Sequence, residues 1–293
     1  MQQITTCPIC GNTNFEDHYT CQDFTVSHET FKIVKCNCGL AITTPRPNEG
    51  DLGNYYLSDD YISHSNKAKT IIDRLYLIAR RYTLNQKLNL ISKYNPISSI
   101  LDYGCGTGYF LNICKSNGWN IFGVEPSLPA REKAIALTKG HIYSSIEDIK
   151  EEKIDVITLW HVLEHIPDPN AILQNLSSHL TTNGTIIIAV PNYEAYDAET
   201  YKDRWAGYDT PRHLWHFTKS SLEKLLNRNS LKLKSVVPMK LDAFYVSLLS
   251  EKYKRHGINS IKGYFAGFMM GMKSNLKASK SGNYSSLIYV VQK

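Results

Sequence analysis

No stretch of this sequence approaches the ~20 uninterrupted apolar residues that a membrane-spanning helix needs. Its first ten residues, MQQITTCPIC, have neither a basic start nor an apolar core. A secretory leader is therefore not expected, and a cytoplasmic chain is. Cysteine is scarce beyond residue 38, where only Cys105 and Cys114 remain. Acidic residues are scarce at the other end. From Leu231 to Lys293 there are 11 Lys or Arg against 2 Asp or Glu, a balance of +9. The formal net charge of all 293 residues is +6, so the first 230 sum to −3. That asymmetry argues against an even basic coat of the kind that wraps nucleic acid. Apolar residues are not lacking: 42% hydrophobic with 20% charged excludes wholesale disorder. The length suits one large domain, or a standard domain with a small appendage.

Five of the seven cysteines, Cys7, Cys10, Cys21, Cys36 and Cys38, crowd the first 38 residues. Without a route to an oxidising compartment, such crowding reads as metal binding rather than disulfides. Cys7-Pro-Ile-Cys10-Gly has the form of a zinc knuckle, two thiolates on a tight turn. Its expected counterpart is Cys36-Asn-Cys38-Gly, one residue shorter than usual. Cys7, Cys10, Cys36 and Cys38 are the expected ligands of a structural Zn2+, with Cys21, His18 and His28 as alternatives for one position. About 40 residues bury too little apolar surface to fold alone, and a metal substitutes for the missing core. Thr44-Pro-Arg-Pro-Asn ends this zinc-ribbon module, which is assigned residues 1–47. An aromatic link and a long amphipathic helix over Ile71–Ser92 fill residues 48–95.

From residue 96 to 293 strand and helix alternate, with near-continuous apolar strands. This is an α/β, Rossmann-like pattern: a mostly parallel sheet with helices on both faces. Ligands of such sheets bind beyond the carboxyl ends of the strands. There the chain places Asp102-Tyr-Gly104-Cys105-Gly106-Thr-Gly108, between a strand and a helix. Glycines let backbone approach a ligand closely, and the helix N-terminus favours an anion. Glu125, at the end of the next strand, is placed to accept from two ribose hydroxyls. A dinucleotide fingerprint wants its third glycine at position 109, which is Tyr; here it is 108.

Asp102-Tyr-Gly-Cys-Gly-Thr-Gly108 with Glu125 resembles the class I methyltransferases that use S-adenosylmethionine (SAM). Ile154-Asp-Val-Ile-Thr-Leu-Trp-His-Val-Leu-Glu-His-Ile-Pro-Asp-Pro169 resembles the fourth-strand motif of the branch related to ubiquinone-pathway O-methyltransferases. Asp203-Arg-Trp-Ala-Gly-Tyr-Asp-Thr-Pro-Arg-His-Leu-Trp-His-Phe-Thr218 resembles a signature of bacterial methyltransferases with an N-terminal zinc ribbon, many of them linked to surface glycans or secondary metabolites. The resemblance covers about residues 1–230 and Ser285–Gln292. It implies a seven-stranded sheet with its last strand antiparallel, SAM as cofactor, and methyl transfer to an oxygen of a small-molecule or glycan-type acceptor.

On that footing Gly104, Cys105, Gly106 and Gly108 form the floor under the cofactor. Asp102 orients the loop or the cofactor's ammonium, and Glu125 takes the ribose. Asp148, with Glu147 as its rival, is a candidate for the adenine amine, and a solvated helix cap is the equal alternative. Trp160 and His161 flank the sulfonium. His213 is the leading candidate base, His161 the second, because a His pKa near ~6.5 suits proton removal at neutral pH. Arg212 is expected to pair an acidic group of the acceptor, with a structural ion pair as the equal alternative. Tyr61 and His64 belong to a segment that the resemblance makes a lid.

Between the last two strands lies an insertion, residues 239–284, apolar, Gly-punctuated and basic. It reads as a cover over the acceptor site, as a peripheral contact with a membrane surface or a lipid-linked, acidic acceptor, or as a dimer interface. Two further functions are weighed. One is an RNA methyltransferase, against which the ribbon's excess of acidic residues speaks. The other is a non-catalytic SAM-binding protein whose ribbon recruits a partner.

Overall fold

The computed structural model describes residues 1–56, 71–150, 153–258 and 260–293. Tyr61 and His64 lie outside the described residues. A seven-stranded sheet forms the centre, in the order β10-β11-β8-β7-β4-β5-β6. Its strands are β4 (Ser99–Tyr103), β5 (Asn120–Val124), β6 (His141–Tyr143), β7 (Ile154–Trp160), β8 (Leu180–Pro191), β10 (Lys232–Pro238) and β11 (Ser286–Gln292). The pairs β6-β5-β4-β7-β8 are all parallel. β11 runs antiparallel to both β8 and β10, as the sequence resemblance implies.

Alternation along the strands feeds two apolar layers. Leu101, Ile157, Leu159, Ile186 and Ile188 belong to one. Their neighbours Ile100, Val156, Ile187 and Ala189 belong to the other. Each fully buried Ile or Leu contributes about 1.5–3 kcal/mol. Helices α1 (Ile71–Tyr94), α2 (Tyr109–Ser116), α3 (Leu128–Thr138) and α4 (Pro169–His179) belong to this unit. Asp168 caps α4, accepting from the backbone N–H of Asn170 and Ala171.

The N-terminal residues form a second sheet of β1 (Phe15–Gln22), β2 (Thr30–Cys36) and β3 (Ala41–Thr43). It takes its fourth strand from far along the chain: β9 (Trp215–His216) pairs with β3, Ile42 opposite Trp215. The ribbon is thus joined to the larger unit by backbone hydrogen bonds. Short helix α5 (Tyr196–Tyr201) leads into the loop that carries β9, and α6 (Lys219–Arg228) follows it.

The insertion is a helical hairpin, α7 (Asp242–Lys254) and α8 (Ile261–Ser281). β10 ends and β11 begins beside Pro191, the last residue of β8. The hairpin therefore springs from the carboxyl edge of the sheet, the edge where β4 gives way to the glycine loop.

Candidate active site and candidate metal centre

Three glycines turn the chain from β4 into α2, each in the left-handed region: Gly104 at φ 75°, Gly106 at 55° and Gly108 at 79°. Two of them are required by packing as well. A Cβ on Gly104 would stand 2.6 Å from Val162 Cγ2, and one on Gly108 would stand 3.0 Å from the Cα of Ala134. Nothing lies within 4 Å of a Cβ placed on Gly106. At that point bare backbone faces open space, the arrangement a closely approaching ligand needs. Glu125, one residue past β5, turns its carboxylate onto the loop. Its Oε2 accepts from the Gly106 N–H at 2.8 Å and its Oε1 from the Ser127 N–H at 2.9 Å. Cys105 is buried beneath, its Sγ 2.9 Å from where a Cβ on Gly123 would be.

Asp102 ends the buried part of β4 and is 3% exposed. Thr158 Oγ1, on neighbouring β7, donates to it at 2.6 Å. Burial raises the Asp102 carboxyl to about 6, and the Thr158 hydroxyl and the Lys87 charge pull against that rise. Trp160 ends β7 with Phe110 edge-on to it at 5.5 Å between centroids. Lys87, from α1, holds its ammonium 4.3 Å from the Trp160 ring centre. Burial lowers this lysine below its usual value, while Asp102 and Asp242 support its charge. The Trp160 Nε1–H is buried without a hydrogen-bond partner.

His161 leaves β7 in the left-handed region, φ 57°. Its Nε2 lies 2.9 Å from Asp242 Oδ2 at the start of α7, and its Nδ1 3.4 Å from Glu164 Oε1. Burial alone would discharge the ring. The hydrogen bonds and charges of Asp242 and Glu164 outweigh it and raise His161 to about 10. This corrects one expectation: an imidazolium with both nitrogens protonated cannot accept a proton, so His161 is no base in this arrangement.

His213 follows a tight turn and is 8% exposed. Its Nδ1 lies 2.9 Å from the Gly207 carbonyl oxygen, which can only accept. Nδ1 therefore carries a proton, and Nε2 is the nitrogen left free of that contact. That Nε2 stands 3.9 Å from Glu164 Oε1 and 4.0 Å from Asp209 Oδ2. His165 packs edge-on against His213 at 4.6 Å. Burial and then the His213 charge lower His165 to about 4, so it stays neutral. Glu164 is 1% exposed, and the His161 Nδ1 at 3.4 Å is its nearest charged neighbour. His161, and after it His213, supply its electrostatic support.

Arg212 is a second correction. It is 1% exposed, not open to an acceptor. Its guanidinium donates to both oxygens of Asp209, at 3.0 and 2.6 Å, to Asp23 Oδ1 at 3.1 Å and to the Tyr55 carbonyl at 2.9 Å. Of the two readings open from sequence, the buried ion pair is the one the geometry selects. Asp148 resolves in the same direction. Its carboxylate accepts from Ser144 Oγ at 2.8 Å and from the Ser145 N–H at 3.2 Å, closing a capping box at the surface.

At the far end of the second sheet four thiols converge. Cys7 and Cys38 Sγ are 3.6 Å apart, Cys10 and Cys36 Sγ 3.4 Å, and all four sulfurs lie within 4.8 Å of one another. Tetrahedral zinc with Zn–S near ~2.3 Å sets its sulfurs about 3.8 Å apart, so the donor set fits that metal. The short Cys36-Asn-Cys38 spacing is accommodated because Cys36 ends β2 and Gly39, at φ 96°, completes the turn. Two of the three alternatives are occupied elsewhere. Cys21 packs with Ile33 and Tyr208, and His18 Nε2 lies 2.8 Å from the Tyr208 hydroxyl.

A family profile described as a methyltransferase domain matches residues 76–236, more than half of the chain. The chain belongs to this methyltransferase family. Over those residues it carries a methyltransferase domain related to that of the ubiquinone biosynthesis O-methyltransferases. The ubiquinone biosynthesis O-methyltransferase of Rickettsia canadensis is 32% identical over 112 residues, 35% of this chain and 48% of that one. The protein of the same name from Actinobacillus pleuropneumoniae is 34% identical over 106 residues, 32% and 45% of the two chains. The chain thus spans about half the length of the curated relatives it matches. In fold it is similar to magnesium protoporphyrin IX methyltransferase from Synechocystis PCC 6803 with bound SAH. The TM-score there is 0.54 at 12% identity, over 84% of this chain and 100% of that one. The StiE O-methyltransferase segment gives 0.51 at 20% identity, over 77% and 78%.

Three residues of the methyltransferase's site carry no signal that pattern reading could use. Lys87 is one of five basic residues on a long helix. Glu164 sits inside the quoted fourth-strand motif, but only the structure shows it buried among histidines. Asp242 opens the insertion and reaches His161 from 81 residues along the chain.

Proposed function

We propose that this methyltransferase moves a methyl group from SAM to an oxygen of a small hydroxyl-bearing acceptor. The observation that carries the reading is the glycine loop at the carboxyl end of β4, with open space over Gly106 and the Glu125 carboxylate turned onto it. When bound, SAM supplies an electrophilic methyl on a sulfonium. Gly104, Cys105, Gly106 and Gly108 form the floor that holds it. Glu125 accepts from its ribose hydroxyls, exchanging one of its backbone contacts for them. Asp102 faces its ammonium group and Trp160 lines the sulfonium, at the place where the Lys87 ammonium now lies over the ring. An aromatic face that steadies an ammonium can steady a sulfonium in its place, with Lys87 displaced.

In this reading His213 Nε2 takes the acceptor's hydroxyl proton. The Gly207 carbonyl fixes its tautomer, and Glu164 and Asp209 stabilise the imidazolium that forms. His161 serves as a fixed positive partner that keeps Glu164 ionised. The names of the relatives, ubiquinone biosynthesis O-methyltransferases, support a small-molecule acceptor of that kind; a glycan-type acceptor is the second form of the proposal. The Cys7, Cys10, Cys36 and Cys38 thiols hold one structural Zn2+, closed to chemistry by four sulfurs.

Methyl transfer to phenolic and catecholic acceptors, followed by mass spectrometry, is the test. The wild type yields product heavier by one methylene. His213→Ala loses about 100-fold or more in turnover with SAM affinity kept. Turnover unchanged in His213→Ala would remove the base assignment. Less than half an equivalent of zinc in purified protein would remove the metal.

A further inference from the structure

The α7–α8 hairpin turns its small residues inward and its large ones outward, the reverse of an ordinary packed helix. The buried residues of α8 are Gly263, Gly267, Gly271, Ser274 and Ala278. A Cβ on Gly267 would stand 2.9 Å from the Cα of Leu248, and one on Gly271 2.8 Å from that of Phe244. Only glycine lets the two backbones approach so closely. Ser274 Oγ donates at 2.6 Å to the buried carboxylate of Asp197, which fixes the rotation of α8 about its axis. At 3.6 residues per turn the opposite arc carries Ile261, Phe265, Phe268, Met269, Met272 and Leu276. They are between 39% and 89% exposed. Single exposed apolar residues need no explanation, but six on one arc do.

Charge narrows the occupant of this face. Residues 239–284 hold eight Lys or Arg and two acids. Both acids are turned away from the arc: Asp242 holds His161, and Glu251 accepts from Arg255 and Tyr201. Lys262, Lys273, Lys277 and Lys280 fall along one border of the apolar arc at the helical spacing. A second copy packing its own α8 antiparallel on this face about a two-fold axis would set those lysines against their own equivalents, with no carboxylate between them. An apolar arc bordered by lysine on a helix too polar to cross a bilayer is the pattern of a helix lying in a headgroup layer.

We propose that α8 docks this methyltransferase on an anionic lipid surface. Phe265 and Leu276 enter the acyl boundary, and the lysines meet lipid phosphates. The hairpin stands on the same edge of the sheet as the glycine loop, and Asp242 links it to His161. Docking therefore carries the site to the bilayer, where an acceptor with an apolar tail resides. An open apolar groove of about 340 Å³, lined by Lys240, Phe244, Met272, Leu276 and Tyr284, adjoins the arc. It offers room for part of such a tail. The choice of acceptor rests on the methyl-transfer reading above; the docking does not.

Flotation of the full chain with vesicles separates the outcomes. Phosphatidylcholine mixed with phosphatidylglycerol should carry the protein upward, phosphatidylcholine alone should not, and salt should release it. The double variant Phe265→Ser with Leu276→Ser should lose at least tenfold in binding, with melting temperature and SAM affinity unchanged. Lys262→Gln and Lys280→Gln should each lose about fivefold. Wild-type protein that stays unfloated, or the double variant floating as well as wild type, would overturn the proposal. So would a wild-type dimer that the double variant breaks, which would give the face to a second copy. Calorimetry with SAM on the same samples keeps the two readings apart. Lost docking with SAM binding intact removes this proposal alone; docking without SAM binding removes the methyl-transfer reading alone.

Discussion

The two sheets are held together by different means. In the seven-stranded sheet, fully buried residues such as Ile100, Val156, Ile157, Leu159 and Ile187 pack on both faces. The four-stranded sheet relies on four thiols at one end and a buried charge cluster at the other. There Asp23, fully buried, accepts from Arg212 and from the backbone N–H groups of Thr25, Val26 and Ser27. Burial would raise this carboxyl, but the Ser27 N–H and the Arg212 charge hold it down to about 2. The second sheet also borrows β9 from the loop that carries Asp209, Arg212 and His213. Damage to the ribbon should therefore reach the candidate base, whereas the glycine loop stands on the large sheet and should not feel it.

Breaking the metal end should have the largest effect. Cys36→Ser, or chelation, should open β1–β3 to amide hydrogen exchange while β4–β8 stay protected, since structural zinc contributes on the order of 10 kcal/mol in small modules. Simultaneous opening of both sheets would erase the distinction between them. Arg212→Ala comes next. It leaves Asp23 and Asp209 without their shared partner and should cost about 3–5 kcal/mol in denaturant unfolding, with turnover falling more than SAM affinity. Ile157→Ala in the large sheet should cost about 2–5 kcal/mol by cavity formation, and here SAM affinity should fall too.

The fourth effect is one of pH. His161 is raised to about 10 in the folded chain, so its contribution is complete below the unfolded value near ~6.5. That contribution is lost as pH rises through about 10. The melting temperature should fall on the alkaline side in wild type and fall less in Asp242→Asn. An identical alkaline slope in both would contradict the pairing. Asp148→Ala should be the smallest change, a slight drop in melting temperature with SAM affinity unaltered.

What could be read from the sequence divides along the same line. Local patterns sufficed for the parallel strands, for Gly104, Gly106, Gly108 and Glu125 on their loop, and for four cysteines at knuckle spacing. They gave Leu231–Pro238 and Ser286–Val291 as the last two strands, against observed Lys232–Pro238 and Ser286–Gln292. Long-range pairings left no local mark. Nothing in Trp215-His216 announces a partner at Ala41-Ile42, and nothing in Arg212 distinguishes a buried ion pair from a ligand contact. Gly263, Gly267 and Gly271 read as interruptions in an apolar run. In space they are the contact by which α8 lies against α7. His161 reads as a neutral histidine until Asp242 and Glu164 are seen beside it.

The central claim is that the loop from Gly104 to Gly108, with Glu125 above it, holds SAM. Isothermal calorimetry of SAM with wild type and with Glu125→Ala tests it most directly. Loss of charge-assisted hydrogen bonds, about 1.5–3 kcal/mol each, predicts binding at one equivalent in wild type and at least tenfold weaker binding in Glu125→Ala at unchanged melting temperature. No heat from the wild type, or equal affinity in the two proteins, would contradict it.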